Sequence, residues 1–124
     1  MKAIENIDDI KTFVDTFYAK VRKDDLLGPV FESRVSDWPK HLNTMYNFWN
    51  AVLFQARDYN GNPFAHHVSL SVDHHHFERW IKLFYETLDE HFMGTVADTA
   101  KLRSATIAKT FYSRMQELHM DRQV

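Results

Sequence analysis

Helix breakers are so few and so tightly grouped in this chain that they dictate its layout. Its three glycines and three prolines fall in four places: Gly28-Pro29, Pro39, Gly61 to Pro63, and Gly94. The long runs between them carry no breaker, which favours helices. The first run, about residues 7–27, sets Ile10, Phe13, Val14, Phe17, Tyr18 and Val21 at the i, i+3, i+4, i+7 spacing of one buried helical face. A second run starts near the N-cap residues Ser36-Asp37 and continues to about Arg57, with Trp38, Leu42, Met45, Phe48, Trp49, Val52 and Leu53 as its stripe. Asp58 to Pro63 is a turn, because Asn60-Gly61 tolerates positive φ and Pro63 fixes its own, and residues 64–72 read as irregular. Asp73 caps a third helix to about Phe92, built on Phe77, Trp80, Ile81, Phe84 and Leu88. Thr95-Val96-Ala97-Asp98 resembles a capping box and opens a last helix, to about His119, on Leu102, Ile107, Phe111, Met115 and Leu118. No strand-like alternation or internal repeat interrupts this pattern. The expectation is an all-α single domain over residues 1–124, with four main helices.

Composition narrows the function. A length of 124 residues suits one domain with a real core, and 44% apolar with 26% charged residues is globular rather than disordered. A net charge of −2 argues against a dedicated nucleic-acid binder, which needs a clustered basic surface. The absence of cysteine removes disulfides, thiolate zinc sites, iron–sulfur clusters, Cys nucleophiles and covalent c-type haem attachment. Charges at Lys2, Glu5, Asp8 and Asp9 do not fit a secretory signal. No stretch approaches the roughly 18 apolar residues of a membrane span, so the expected compartment is the cytoplasm, without a membrane partner. Aromatic content of 15% and eight histidines are the unusual figures.

Common enzyme signatures are missing: there is no Glu-x-x-His pair, no His-Glu-x-x-His, no Gly-rich phosphate loop and no nucleophile elbow. What stands out instead is polar groups on apolar stripes. Tyr18 lies in register with Val14 and Val21, His41 with Met45, Phe48 and Val52, and Trp80 with Phe84 and Leu88. Each alone also reads as a core residue with a satisfied polar tip. Three inward donors on three helices point to something between them that accepts hydrogen bonds. His66-His67, after the turn, reads either as a surface pair or as a source of imidazole for a metal. His74-His75-His76 cannot all face one ion, because neighbours on a helix point about 100° apart. Only His74 and Glu78 share a face there, so a solvated helix start is the simpler reading. His91 and His119 suit helix C-termini, and Lys20, Arg22 and Lys23, diluted by Asp24 and Asp25, read as a solvated helix end.

These residues occur in a familiar order. The segments are Phe17 to Arg22 with Gly28-Pro29-Val30-Phe31, then Trp38-Pro39-Lys40-His41 and Asn47-Phe48-Trp49. They continue with Asp58 to Pro63 leading to His66-His67, and with Phe77 to Phe84. In these segments the chain resembles the truncated haemoglobins of group III, the P-type branch, over nearly its whole length. The resemblance implies a globin-like, shortened 2-over-2 helical sandwich around a b-type haem. It implies that His67, the second His of Ala-His-His, is the proximal iron ligand, with Tyr18, His41 and Trp80 as distal residues. Phe17, Phe31, Met45, Phe48, Trp49, Val52, Phe77 and Ile81 would wall the macrocycle.

The implied function is binding of O2, NO, CO or other diatomic ligands by a monomer. A polar distal side suits redox or detoxification chemistry, NO dioxygenase-like or peroxidase-like, with an external electron donor. The alternatives are a sensor, scavenger or store without turnover, and a haem-free, His-rich metal-binding helical module.

Overall fold

The computed structural model describes residues 1–55 and 73–122, with residues 115–122 described by their helical backbone alone. The described residues form α1 (Ile7–Lys23), α2 (Gly28–Arg34), α3 (Trp38–Phe54), α4 (His74–His91) and α5 (Thr95–Arg122). The all-α expectation holds, with one more helix than the sequence pattern suggests.

That extra helix is α2, and it begins at the glycine-proline pair expected to break the chain. Proline in a first helical turn loses no bond, since the N–H groups there have no helical partner. The helix before it stops at Lys23 rather than near residue 27. Asp24 leaves helical geometry (φ −74, ψ 134), and its carboxylate accepts the Leu26 and Leu27 N–H groups at 3.0 and 2.9 Å. Gly28 then passes so close to α1 that a Cβ on it would lie 2.9 Å from the Arg22 carbonyl oxygen. Only glycine fits that approach.

All of the apolar stripe on α1 is buried, and it forms the centre of the molecule. This helix packs against α2, α3 and α4, while α5 lies mainly on α4. Phe13 is the hub, edge-on to Trp49 (6.0 Å between ring centres), Phe84 (5.9 Å) and Phe92 (6.3 Å). α3 and α4 lean on α1 more than on each other, with Trp49 and Phe84 stacked across the gap at 5.0 Å.

Caps mark the ends. Asp37 accepts the Lys40 N–H at 3.1 Å to start α3, which ends at Phe54, short of Arg57, because Gln55 turns left-handed (φ 58). Asp73 caps α4 by accepting the His75 N–H at 2.9 Å, and His76 Nδ1 accepts the Asp73 N–H in return at 3.1 Å. His76 is therefore half of a capping box, and His74 and His75 beside it are exposed. Among the described residues no group of three or more His, Cys, Asp or Glu side chains is placed to hold a metal.

The start and buried face of α5 both differ from expectation. Thr95 is already helical, and the Asp98 N–H bonds the Gly94 carbonyl at 3.0 Å, so the cap position is Gly94 (φ 101). The buried face is made of Ala97, Ala100, Ser104 and Ala108, whereas Leu102 is 68% exposed. Ile107 and Phe111 are half-buried, and the side chains of Met115, Leu118 and His119 lie outside the described residues. Small side chains let α5 lie close against α4, a packing choice that a scale favouring Leu over Ala cannot reveal. Leu102→Gln should accordingly change unfolding free energy by less than about 0.5 kcal/mol in a urea titration. A loss well above about 1 kcal/mol would mean that Leu102 is covered in solution.

Candidate functional site

The end of α1 nearest α2 delivers Phe17 and Tyr18 side by side, their rings 5.0 Å apart. Around Tyr18 stand His41 (5.1 Å, at 85°), Trp38 (5.9 Å, at 60°) and Phe31 (6.0 Å, at 66°), all edge-on. Trp38 and His41 are three residues apart in the first turn of α3, so they share a face and meet at 5.5 Å. One corner between α1, α2 and α3 thus gathers a phenol, an imidazole and an indole within an aromatic frame.

Burial alone pushes the Tyr18 phenol well above its ordinary range, so it keeps its proton and stays a donor across physiological pH. Nε2 of His41 and Nε1 of Trp38 are both sealed from solvent. The Trp38 N–H finds no acceptor among the described residues. The Arg22 guanidinium covers the Trp38 ring at 4.5 Å and donates to Glu32 at 2.8 Å. Arg22 therefore does more than solvate a helix end. The apolar periodicity places Trp38 only on the stripe of α3. Its spacing from His41 is the signal that it belongs with the polar residues.

Trp80, on α4, lies edge-on to Phe17 at 5.3 Å and stacks on Phe84 at 5.4 Å and 14°. It joins the Tyr18 corner through Phe17. Its neighbour Arg79 donates to Asp24 at 2.6 Å, so the carboxylate that turns the chain into α2 also anchors α4 beside Trp80. Burial opposes ionisation of Asp24, but the Leu27 N–H, Arg79 and the Leu26 N–H outweigh it and hold the carboxyl below its ordinary value. A lowered folded pKa gives stability that is fully present above the ordinary value of 3.8 and is lost as pH falls through the folded value. Asp24→Asn should cost about 1 kcal/mol at pH 7, allowing for the half-exposed Arg79. In paired urea titrations that cost should shrink as the pH is lowered below about 4. A difference independent of pH would show that the charge contributes nothing.

The apolar lining is graded. Phe17 and Trp49 are fully buried, and Trp49 is enclosed by Phe13, Phe48 and Phe84. Phe31, Met45, Phe48, Val52, Phe77 and Ile81 are only half-buried, as is Trp80. His66, His67 and the turn from Asp58 to Pro63 lie outside the described residues.

A family model described as bacterial-like globin matches residues 2–111. The Group 3 truncated hemoglobin ctb of Campylobacter jejuni is 33% identical over 115 residues, spanning 89% of this chain and 91% of that protein. The chain belongs to the group III truncated haemoglobins. The crystal structure of the group III truncated hemoglobin from Campylobacter jejuni matches this globin with a TM-score of 0.84 at 35% identity, covering 93% of this chain and 95% of that one. The shortened globin fold expected from the sequence is therefore the fold observed.

Membership of the globin family implies haem binding and, through haem, binding of diatomic ligands. The described residues fit such a group. α3 and α4 meet through the stacked Trp49 and Phe84, which are sealed, while Met45, Phe48, Val52, Phe77 and Ile81 on the same two helices are half-covered. A large flat apolar molecule would complete that burial. The buried Trp38 N–H, without an acceptor among the described residues, marks the Tyr18 corner as one that fits a polar guest. Among the described residues no helix is long and apolar enough to cross a membrane.

Proposed function

We propose that this globin holds a b-type haem on His67 and uses Tyr18, His41 and Trp80 to stabilise a charged or polar diatomic ligand. The use would be redox or detoxification chemistry on NO, O2 or peroxide rather than bulk O2 transport. The observation that carries the reading is the Tyr18 hydroxyl, buried, permanently protonated and set against the His41 ring. When bound, haem supplies an iron that takes up a diatomic ligand and shifts negative charge onto it.

The chain's own residues do the rest. The Tyr18 ring is held between Phe17, Phe31 and Trp38, so its hydroxyl oxygen is in place before a ligand arrives. A donor fixed in a dry pocket needs no reorganisation to meet developing charge, which favours retention over quick release. The indole of Trp80, held by Phe17 and Phe84, adds a second donor. His41, edge-on to Tyr18, adds a third or moves a proton to and from the pocket. Phe17, Phe31, Met45, Phe48, Trp49, Val52, Phe77 and Ile81 exclude water and contribute apolar burial. Neutral imidazole at His67 would supply the lone pair that iron binding needs, and with no cysteine in the chain the cofactor would be held by that residue and by packing. Turnover would draw electrons from an external donor, and the protein would act as a cytoplasmic monomer.

Absorption spectra of the ferric, ferrous and CO-bound forms test this reading. A Soret band is expected after purification or on adding haem, and its complete absence would overturn the proposal. With haem bound, turnover of NO or peroxide in the presence of a reductant is expected. Slow O2 release with no turnover would instead identify a sensor or store.

A further inference from the structure

We propose that Trp38 is a further donor of the ligand pocket: its buried indole N–H serves a small hydrogen-bond acceptor held between Tyr18, Trp38 and His41. This rests on the reading of that corner as the ligand side of a haem site, and adds to it a residue that reading leaves out.

Three observations support the assignment. First, Trp38 Nε1 is sealed from solvent and has no acceptor among the described residues. An N–H kept dry and unbonded costs about 1–3 kcal/mol, and native proteins rarely tolerate that without a guest to satisfy it. Second, the indole ring packs at a steep angle against both Tyr18 (5.9 Å) and His41 (5.5 Å), so the three polar side chains are neighbours in one aromatic corner. Third, the ring is held from outside. Arg22 lies over it at 4.5 Å and is itself tied to Glu32, while Asp37 caps the helix turn that carries it. A side chain that only filled space would not need its donor inside. A phenylalanine would pack against the same neighbours without an N–H to bury.

The guest is defined by its chemistry: an oxygen, nitrogen or halide acceptor about the size of a water molecule. The guest meant here is the bound ligand itself; a water that stays on Nε1 when a ligand binds is the outcome that overturns the assignment. Fluoride is a suitable probe, because it is a compact, strong acceptor that binds ferric haem, whereas CO is a poor acceptor.

In haem-loaded protein, Trp38→Phe should weaken fluoride binding by about ten-fold, the scale of one hydrogen bond to a charged group. CO affinity should change by less than about two-fold. Equal weakening of both would overturn the proposal, since it would reduce Trp38 to packing, and so would unchanged fluoride affinity. Tyr18→Phe is the control. If it alters fluoride binding while Trp38→Phe does not, this inference fails and the functional reading stands. If neither variant alters it, both fail.

A measurement on the unaltered protein covers the case in which the variant does not fold. Crystal structures of the ferric protein with and without fluoride should show an acceptor within about 3.2 Å of Trp38 Nε1. Fluoride standing as that acceptor would be the ligand, whereas a water left unchanged in both forms would be resident and would overturn the proposal. An Nε1 bonded to protein, or to nothing, in both structures would overturn the proposal.

Discussion

Tyr18→Phe should accelerate O2 release by about ten- to a hundred-fold in stopped-flow measurements on the ferrous protein. The range is that of one hydrogen bond to a charged acceptor, about 1.5–3 kcal/mol, converted to a rate. The substitution removes one oxygen and leaves the ring to meet Phe17, Phe31, Trp38 and His41 as before. Fold stability should therefore change little, and a kinetic effect can be assigned to the lost donor. Because the phenol keeps its proton, the difference between the two proteins should be flat from about pH 6 to 9. Unchanged release rates in both Tyr18→Phe and Trp80→Phe would remove these residues from the site. A strongly pH-dependent difference would shift the role to His41.

The second large effect concerns iron attachment. His67→Gly should lower haem retention by about a hundred-fold or more, beyond the 10- to 100-fold typical of losing a ligand's hydrogen-bond partner. Because haem bound only to the native state stabilises it by mass action, the melting temperature of the loaded protein should fall with it. Added imidazole, which can refill the space left by the side chain, should restore the wild-type ferrous spectrum. His66→Ala should leave spectrum and retention unchanged. The opposite pattern, with His66→Ala losing the haem and His67→Gly keeping it, would assign the iron to the neighbouring residue.

Much of the molecule is legible in the amino-acid sequence wherever the physics is local. Period-3.6 spacing identifies the buried face of α1, because every residue on it meets the core whichever helices supply that core. Asp37 and Asp73 are recognisable as caps because a cap is satisfied within three residues of itself. The polar residues Tyr18, His41 and Trp80 stand out as exceptions on apolar stripes. Their order along the chain, with Gly28-Pro29 and the other quoted segments, points to the family to which the chain belongs.

Other features depend on which segments meet, and no local pattern contains that. Arg79 lies 55 positions from Asp24, yet their ion pair ties α4 to the corner where α1 turns into α2. The burial of Ala100 and Ser104 in place of Leu102 follows from how closely α5 approaches α4. The corner itself is of the same kind: Trp38 and His41 share a face by spacing, but only the crossing of α3 over α1 brings that face to Tyr18. The scarcity of breakers determined that this chain would be mainly helical, since helix propensity is a short-range matter, although one breaker pair, Gly28-Pro29, opens a helix of its own. Tertiary packing decided which polar groups share one dry corner, because burial and long-range contact exist only once the helices are assembled.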